Sequence, residues 1–199
     1  MHPDTANQDP HSALRLVRPA AEHLPSFTAA LRQGWSPDNL RPAVAQETLA
    51  RVATDADAFL RGTEDIEALG PPITLPDGSQ VARLPGLVRW MWDDEGFVGS
   101  INLRWPKDGG PLPPHVLGHI GYAVVPWKRR RGHATRALAL LLPLARAQGL
   151  RSVELTTDAD NEASQRTITA NGGVLVERFD KPAVYGGAAS LRFCIDLPH

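Results

Sequence analysis

The chain has 199 residues, a formal net charge of −1 at pH 7 and 42% hydrophobic residues. That length supports one domain with its own core, and a near-zero charge gives no global pull toward nucleic acid or anionic lipid. The single cysteine, Cys194, excludes an intramolecular disulfide and a cysteine-rich zinc site, and no run of about eighteen apolar residues is present to span a membrane. Residues 1–12 are polar with two prolines and are expected to form a disordered tail. They contain no apolar stretch of the signal-peptide kind, so the cytoplasm is the expected location. Leu14 to Arg18 alternates like a first strand. Pro19 is placed to open a helix over Ala20 to Gln33, and Gly34 to stop it. A second helical region runs from Val44 to Leu60, with Val44, Leu49, Val52, Ala56 and Phe59 at helical spacing. Residues 61–80, with Gly70-Pro71-Pro72 and Pro76-Asp77-Gly78, read as a loop. Leu87–Trp92 and Phe97–Trp105 flank Asp93-Asp94-Glu95-Gly96, a hairpin signal. A Gly/Pro loop over Pro106 to Pro114 precedes a strand from Gly118 to Val125. Then come a helix over Ala134 to Gln148, which Pro143 should kink, a strand over Arg151 to Thr157 and a helix over Glu162 to Asn171. Val174–Phe179 and Leu191–Leu197 read as a closing hairpin, in which Phe193, Ile195 and Leu197 share one face.

The most informative stretch is Arg129-Arg130-Arg131-Gly132-His133-Ala134-Thr135, between the strand ending at Val125 and the helix ending at Gln148. The first turn of a helix exposes N–H groups with no partner inside it, and the helix dipole adds positive charge there. Gly132 lets backbone approach a ligand closely, and arginines supply charge-assisted hydrogen bonds to phosphate oxygens. Neither the P-loop pattern nor the G-x-G-x-x-G fingerprint is present. What is present reads Val124-x-x-x-x-Arg129-x-x-Gly132-x-Ala134, which resembles the pyrophosphate-binding signature of the GNAT superfamily of acetyl-CoA-dependent N-acetyltransferases, V-x-x-x-x-(Q/R)-x-x-G-x-(G/A). A second motif, Asn161-Glu162-Ala163-Ser164 followed by Asn171-Gly172-Gly173, has the superfamily's spacing of an Asn opening a helix and a Gly closing it. Asp160 or Asn161 suits an N-cap and Gly172 a left-handed C-cap. The resemblance covers residues 85–197, most specifically 118–173, and Gly118-His119-Ile120-Gly121-Tyr122 with Gly172-Gly173 is similar to a bacterial subgroup of predicted acetyltransferases.

The resemblance implies an α/β (α+β) fold, a mixed and mostly antiparallel central sheet of six to seven strands with helices on both faces. Residues 13–199 then form one domain: 13–84 carry the first strand, the early helices and a candidate acceptor-side lid, and 85–199 the acetyl-CoA-binding core. It further implies acetyl-CoA as co-substrate without a metal. The pantetheine arm would pair with Tyr122, Ala123 and Val124, and the diphosphate would sit on Arg129, Arg130, Arg131, Gly132, His133, Ala134 and Thr135. Asn161 would hold a pantetheine amide, with Ser164 close by. The acceptor would be a small-molecule or peptide amine. A nucleic-acid reading of Lys128–Arg131 would need a broader basic face, and homodimers are common in the superfamily without any feature here deciding the oligomeric state.

An amine must be neutral to attack, and a lysine-like amine with a pKa of about 10.4 sits about three units above pH 7.4, a cost of about 4 kcal/mol. His119 is the first candidate base, since its free pKa lies near neutrality; the plain alternative is a histidine packed in the sheet. Glu154 on the following strand is the second, or else a solvated strand residue. Asp158 would orient Asn161 or cap the following helix. Many superfamily members place a Tyr seven residues after the Asn as general acid, but here that position is Ile168. Either another group donates the proton or the thiolate leaves unprotonated; the only tyrosines are Tyr122 and Tyr185, and Tyr185, in a glycine-flanked loop, is a candidate whose plain alternative is a loop tyrosine. Trp35 and Trp105 sit at element ends where they could line an acceptor pocket, and Trp127 lies beside the basic turn. The leading expectation is N-acetyl transfer to a primary amine by direct attack in a ternary complex. The alternative is a non-catalytic acyl-CoA-binding sensor, suggested by the missing tyrosine.

Overall fold

The structure is a computed structural model that describes residues 14–38, 41–75 and 77–198; the tail expected over 1–12 lies outside the described residues. Strand β1 (Arg15–Val17) leads through a 3-10 turn at Ala21–His23 into α1 (Leu24–Arg32). Pro25 sits in the first turn of α1, where its missing N–H costs no hydrogen bond, and Gly34 at φ 89 takes the left-handed position beyond its end. The second helical region is two helices, α2 (Val44–Thr54) and α3 (Ala56–Arg61). Asp55 breaks them apart: its backbone is extended, and its side chain accepts the Ala58 N–H at 2.8 Å. An aspartate offering the backbone an N-cap overrides the apolar periodicity that runs across it. The stretch read as a loop contains three two-residue strands, β2 (Glu64–Asp65), β3 (Ile73–Thr74) and β4 (Gln80–Val81).

The hairpin of β5 (Gly86–Asp93) and β6 (Gly96–Arg104) is followed by β7 (Ile120–Val124), α4 (His133–Ala147), β8 (Ser152–Asp158), α5 (Glu162–Thr169), β9 (Val174–Asp180) and β10 (Ala189–Asp196). The strands form one antiparallel sheet in the order β1-β5-β6-β7, with β2 on β5, a second in the order β8-β10-β9, and a separate two-stranded ribbon of β3 and β4. The expected central sheet of six to seven strands is thus parted between β7 and β8. Ala137, Leu138 and Leu141 of α4 share one buried cluster with Ile101, Leu103, Val153 and Phe193, so one core spans both sheets. Helix α1 covers part of the first sheet with Phe27, which stacks on Trp90 at a ring-centroid distance of 4.2 Å. Each such buried aliphatic or aromatic side chain contributes about 1.5–3 kcal/mol. Helix α4 continues through Pro143, an exposed position.

Candidate active site

The two sheets touch at one end of the β7–β8 boundary and part at the other. At the closed end the His119 N–H donates to Glu154 O at 2.8 Å, and the Glu154 N–H donates to His119 Nδ1 at 2.9 Å. Gly118 permits this approach, since a Cβ there would lie 3.0 Å from Glu154 O. Beyond it opens a groove of about 1160 Å³, walled by residues 120–124 of β7 and 155–158 of β8. Small-ligand pockets are about 300–1,000 Å³, so this one has room for a long donor and an acceptor together. The Val125 N–H donates to Val98 O at 2.9 Å. By antiparallel alternation the N–H and C=O groups of Tyr122 and Val124 therefore point away from β6, toward the gap.

The open end runs into the basic turn. A 3-10 turn at Pro126–Lys128 leads to Arg130 at φ 63 and Gly132 at φ 75, both left-handed. The Arg136 N–H donates to Gly132 O at 3.0 Å and begins α4. Among the described residues, the amides of Arg131, Gly132, Ala134 and Thr135 meet no main-chain acceptor, which makes the turn an anion site. Arg129 Nε donates back to Val124 O at 3.1 Å. Lys128 belongs to the basic run in sequence but turns inward: its Nζ lies 2.7 and 2.9 Å from the two Asp93 carboxylate oxygens. It ties the turn to the β5–β6 hairpin. The residues assigned to the donor from sequence all line the groove except Arg131, which is exposed outside it.

The opposite wall carries the second motif. Asn161 Oδ1 accepts the Ser164 N–H at 3.1 Å and caps α5. Gly172 sits at φ 83 past the helix end, and a Cβ on Gly173 would strike Ile168 Cγ2 at 2.3 Å, so the pair of glycines serves one left-handed turn and one close packing contact. The Tyr122 hydroxyl and Ser164 Oγ share a hydrogen bond of 2.8 Å across the groove from β7 to α5. Burial pushes the Tyr122 phenol above its ordinary value, with Ser164 and Thr167 pulling it partly back.

None of the three catalytic candidates read from sequence is on the groove wall. His119 is buried, and its Nδ1 is occupied by the Glu154 N–H. Burial holds its pKa below 6.5, the Glu154 charge opposing this and the Arg104 charge adding to it. The Glu154 carboxylate pairs with Arg192 at 2.7 Å on the outer face of the second sheet. The Tyr185 hydroxyl donates to His115 O at 3.0 Å and straps one loop to another. Asp158 lines the groove but is engaged by Lys181 and by Ser190 Oγ. Trp35 and Trp105 are core residues, 2% and 6% exposed, and Trp127 is 42% exposed beside the turn. The described residues of the 61–80 segment contribute nothing to the lining; Pro37 and Asp38, after α1, do. With Asn102 and Arg104 of β6 they form a wall that no local motif announces. The available signal was alternation: Asn102 and Arg104 are the polar partners of buried Ile101 and Leu103 on one strand.

Residues 13–174 match the sequence profile of the acetyltransferase (GNAT) domain. The chain belongs to the GNAT acetyltransferases. It is an acetyl-CoA-dependent acyltransferase by family. No curated protein matches this acetyltransferase in sequence. In structure it is similar to the microcin C7 self-immunity acetyltransferase MccE in complex with acetyl-CoA and AMP, with a TM-score of 0.60 and 12% identity over 94% of each chain. It is similar to RimL, the ribosomal L7/L12 alpha-N-protein acetyltransferase in complex with coenzyme A, with a TM-score of 0.61 and 15% identity over 94% of this chain and 95% of that one. It is also similar to the acetyltransferase yncA from Salmonella typhimurium with acetyl-CoA, with a TM-score of 0.57 and 14% identity over 94% and 96%. At these identities the likeness of this GNAT acetyltransferase to each is one of fold.

Proposed function

We propose that the protein transfers the acetyl group of acetyl-CoA to a primary amine by direct attack in a ternary complex. The observation that carries this reading is the gap between β7 and β8, where the two strands do not pair and the β7 edge runs directly into the amides of the basic turn. Strand edges bond to an amide-bearing chain and helix starts bond to phosphates, and a donor with a pantetheine arm and a diphosphate needs both in that order. Tyr122 and Val124 take the arm, with Asn161 and Ser164 on the far wall. Arg129, Arg130, Gly132, His133, Ala134 and Thr135 take the diphosphate. Acetyl-CoA supplies the activated carbonyl. An N–H of β7 aimed into the gap stabilises the charge that develops on the carbonyl oxygen.

The proton for the departing thiolate comes from Tyr122. Ile168 is buried and has no proton to give, but the Tyr122 hydroxyl reaches the same helix one turn earlier, at Ser164. Because its pKa is raised, it stays protonated throughout the neutral and mildly alkaline range. His119 serves by holding the closed end of the groove.

Calorimetric titration with acetyl-CoA, with dephospho-CoA and ATP as comparison ligands, combined with thiol release on an amine panel, tests the reading. Micromolar binding with amine-dependent thiol release is expected. Binding without turnover on any amine would instead favour a sensor, and no binding at millimolar ligand would remove the donor site itself.

A further inference from the structure

The groove contains a cation that the donor does not need. Arg104 N–H donates to His119 O at 2.9 Å, which places Arg104 level with the closed end of the gap. Val124, where the basic turn starts, is five residues away along the paired strand, about 17 Å at a rise of about 3.4 Å per residue. The guanidinium itself is drawn back to Asn102, opposite Gly121, three residues or about 10 Å along the strand from Val124, and the start of α4 lies beyond that residue. Arg104 is exposed to solvent and lines the groove, and its Nη2 donates to Asn102 Oδ1 at 2.8 Å, which fixes its plane. The walls around it partly desolvate its charge, and Asp38, on the neighbouring segment after α1, offsets this. This end of the groove therefore presents one oriented fork of donors, with the charge of Asp38, itself accepting the Arg41 N–H, close enough to act on it. The other charged pair of the lining, Asp158 with Lys181, is internally matched.

Resting on the proposed acetyl transfer, the geometry points to an acceptor that is itself a zwitterion: an amine carrying a carboxylate or a phosphate. Arg104, oriented by Asn102, receives the acidic group by a two-pronged contact. Asp38, whose Oδ1 also accepts the Arg41 N–H at 3.1 Å, contributes its negative charge near the arriving ammonium, which then loses its proton to solvent. A polyamine would bring positive charge to Arg104 and gain nothing from the matched Asp158–Lys181 pair. Arg104 is on this reading a specificity-determining residue, acting on the acceptor and not on the donor.

The test is a paired acceptor panel read by thiol release from acetyl-CoA. Serine against serinamide probes a carboxylate, phosphoethanolamine against ethanolamine probes a phosphate, and spermidine probes a polycation. Amidation also lowers the pKa of the amine, so each preference is read as the ratio between wild type and Arg104→Gln. At least one acid-bearing acceptor should be preferred, and Arg104→Gln should raise its KM by about tenfold or more. The same variant should leave its uncharged partner and the KM for acetyl-CoA within about twofold, since neither uses that contact. Arg104→Lys, which keeps the charge but loses the fork, should fall between them. Acetyl-CoA binding with turnover of only spermidine or uncharged amines, or of none of the set, overturns this inference and leaves the donor site standing. So does a preference that Arg104→Gln does not change. Failure of acetyl-CoA to bind removes the proposed function as well.

Discussion

At the scale of single residues, three side chains do work that their sequence context disguises. His119 holds the two sheets together through Nδ1, an acceptor only while the ring is neutral. Its folded pKa lies below 6.5, so between that folded value and 6.5 the unfolded chain binds more protons than the native one. Stability is therefore full above pH 6.5 and is lost as the pH falls through that window. Denaturant midpoints at neutral and mildly acidic pH should separate in the wild type and draw closer in His119→Gln, which keeps an acceptor but does not titrate; an equal separation in both would free His119 of this role. Tyr122→Phe should lower kcat by about 10- to 100-fold, the lower part of what general acids contribute because a thiolate is already a fair leaving group. The KM for acetyl-CoA should hardly move, and an unchanged kcat would return the thiolate to unassisted departure. Arg130 is a non-glycine residue at φ 63, in a turn that also needs Gly132. Arg130→Gly should raise stability by about 1 kcal/mol while raising the KM for acetyl-CoA, because the backbone cost and the phosphate contact belong to the same residue. Melting curves and steady-state kinetics on that one variant separate the two effects.

At the scale of elements, what the sequence disclosed and what it hid follow from the range of the interactions involved. Strands β5 to β8, helices α4 and α5 and the basic turn were legible because each is set locally, by alternation, by caps or by a left-handed glycine. The break at Asp55 was not, because a side-chain cap on the Ala58 N–H competes with apolar periodicity that passes through it undisturbed. The groove wall built from the basic turn and the Asn161 motif was legible since its residues cluster in two short motifs. The wall of Pro37, Asp38, Asn102 and Arg104 was not, since it comes from elements far apart in sequence. The catalytic candidates His119, Glu154 and Tyr185 were chosen by residue type and nearness along the chain, while their partners, the Glu154 amide, Arg192 and the His115 carbonyl, lie 35, 38 and 70 positions away. Pro143 is a case where a local rule and the fold disagree. It removes the N–H that would reach the Ala139 carbonyl, yet α4 continues across it, because Leu141 and Ala145 on either side are buried in the core. Pro143→Ala should restore that hydrogen bond at an exposed site and raise stability by about 1–3 kcal/mol, read by denaturant titration. A loss of stability would mean that the proline geometry is itself used.

At the scale of the whole molecule, the two larger antiparallel sheets are joined by a core beneath and by the His119–Glu154 contact at one end. Helix α4 lies against the first sheet, and its Ala137, Leu138 and Leu141 share one buried cluster with Val153 and Phe193 of the second. At the open end nothing in the backbone couples Val124 to Thr157, so that end is free to breathe in a way the closed end is not. A donor lying in the gap would supply the missing coupling, acting as an extra strand between two edges. Binding to the native state alone at about 100 times Kd adds about 2.7 kcal/mol. For a chain of this size that is a rise in Tm of about 5–10 °C. Its distribution is the stronger test. Acetyl-CoA should slow amide hydrogen exchange at Tyr122, Val124 and the first turn of α4, and along residues 155–158 of β8, while leaving the His119–Glu154 end, already bonded, little changed. Protection confined to the basic turn would mean that the ligand is held by its phosphates alone and the gap is not its path. Uniform protection across both sheets would mean that the molecule opens only by global unfolding, and the parting of β7 from β8 would then be a rigid feature of the fold.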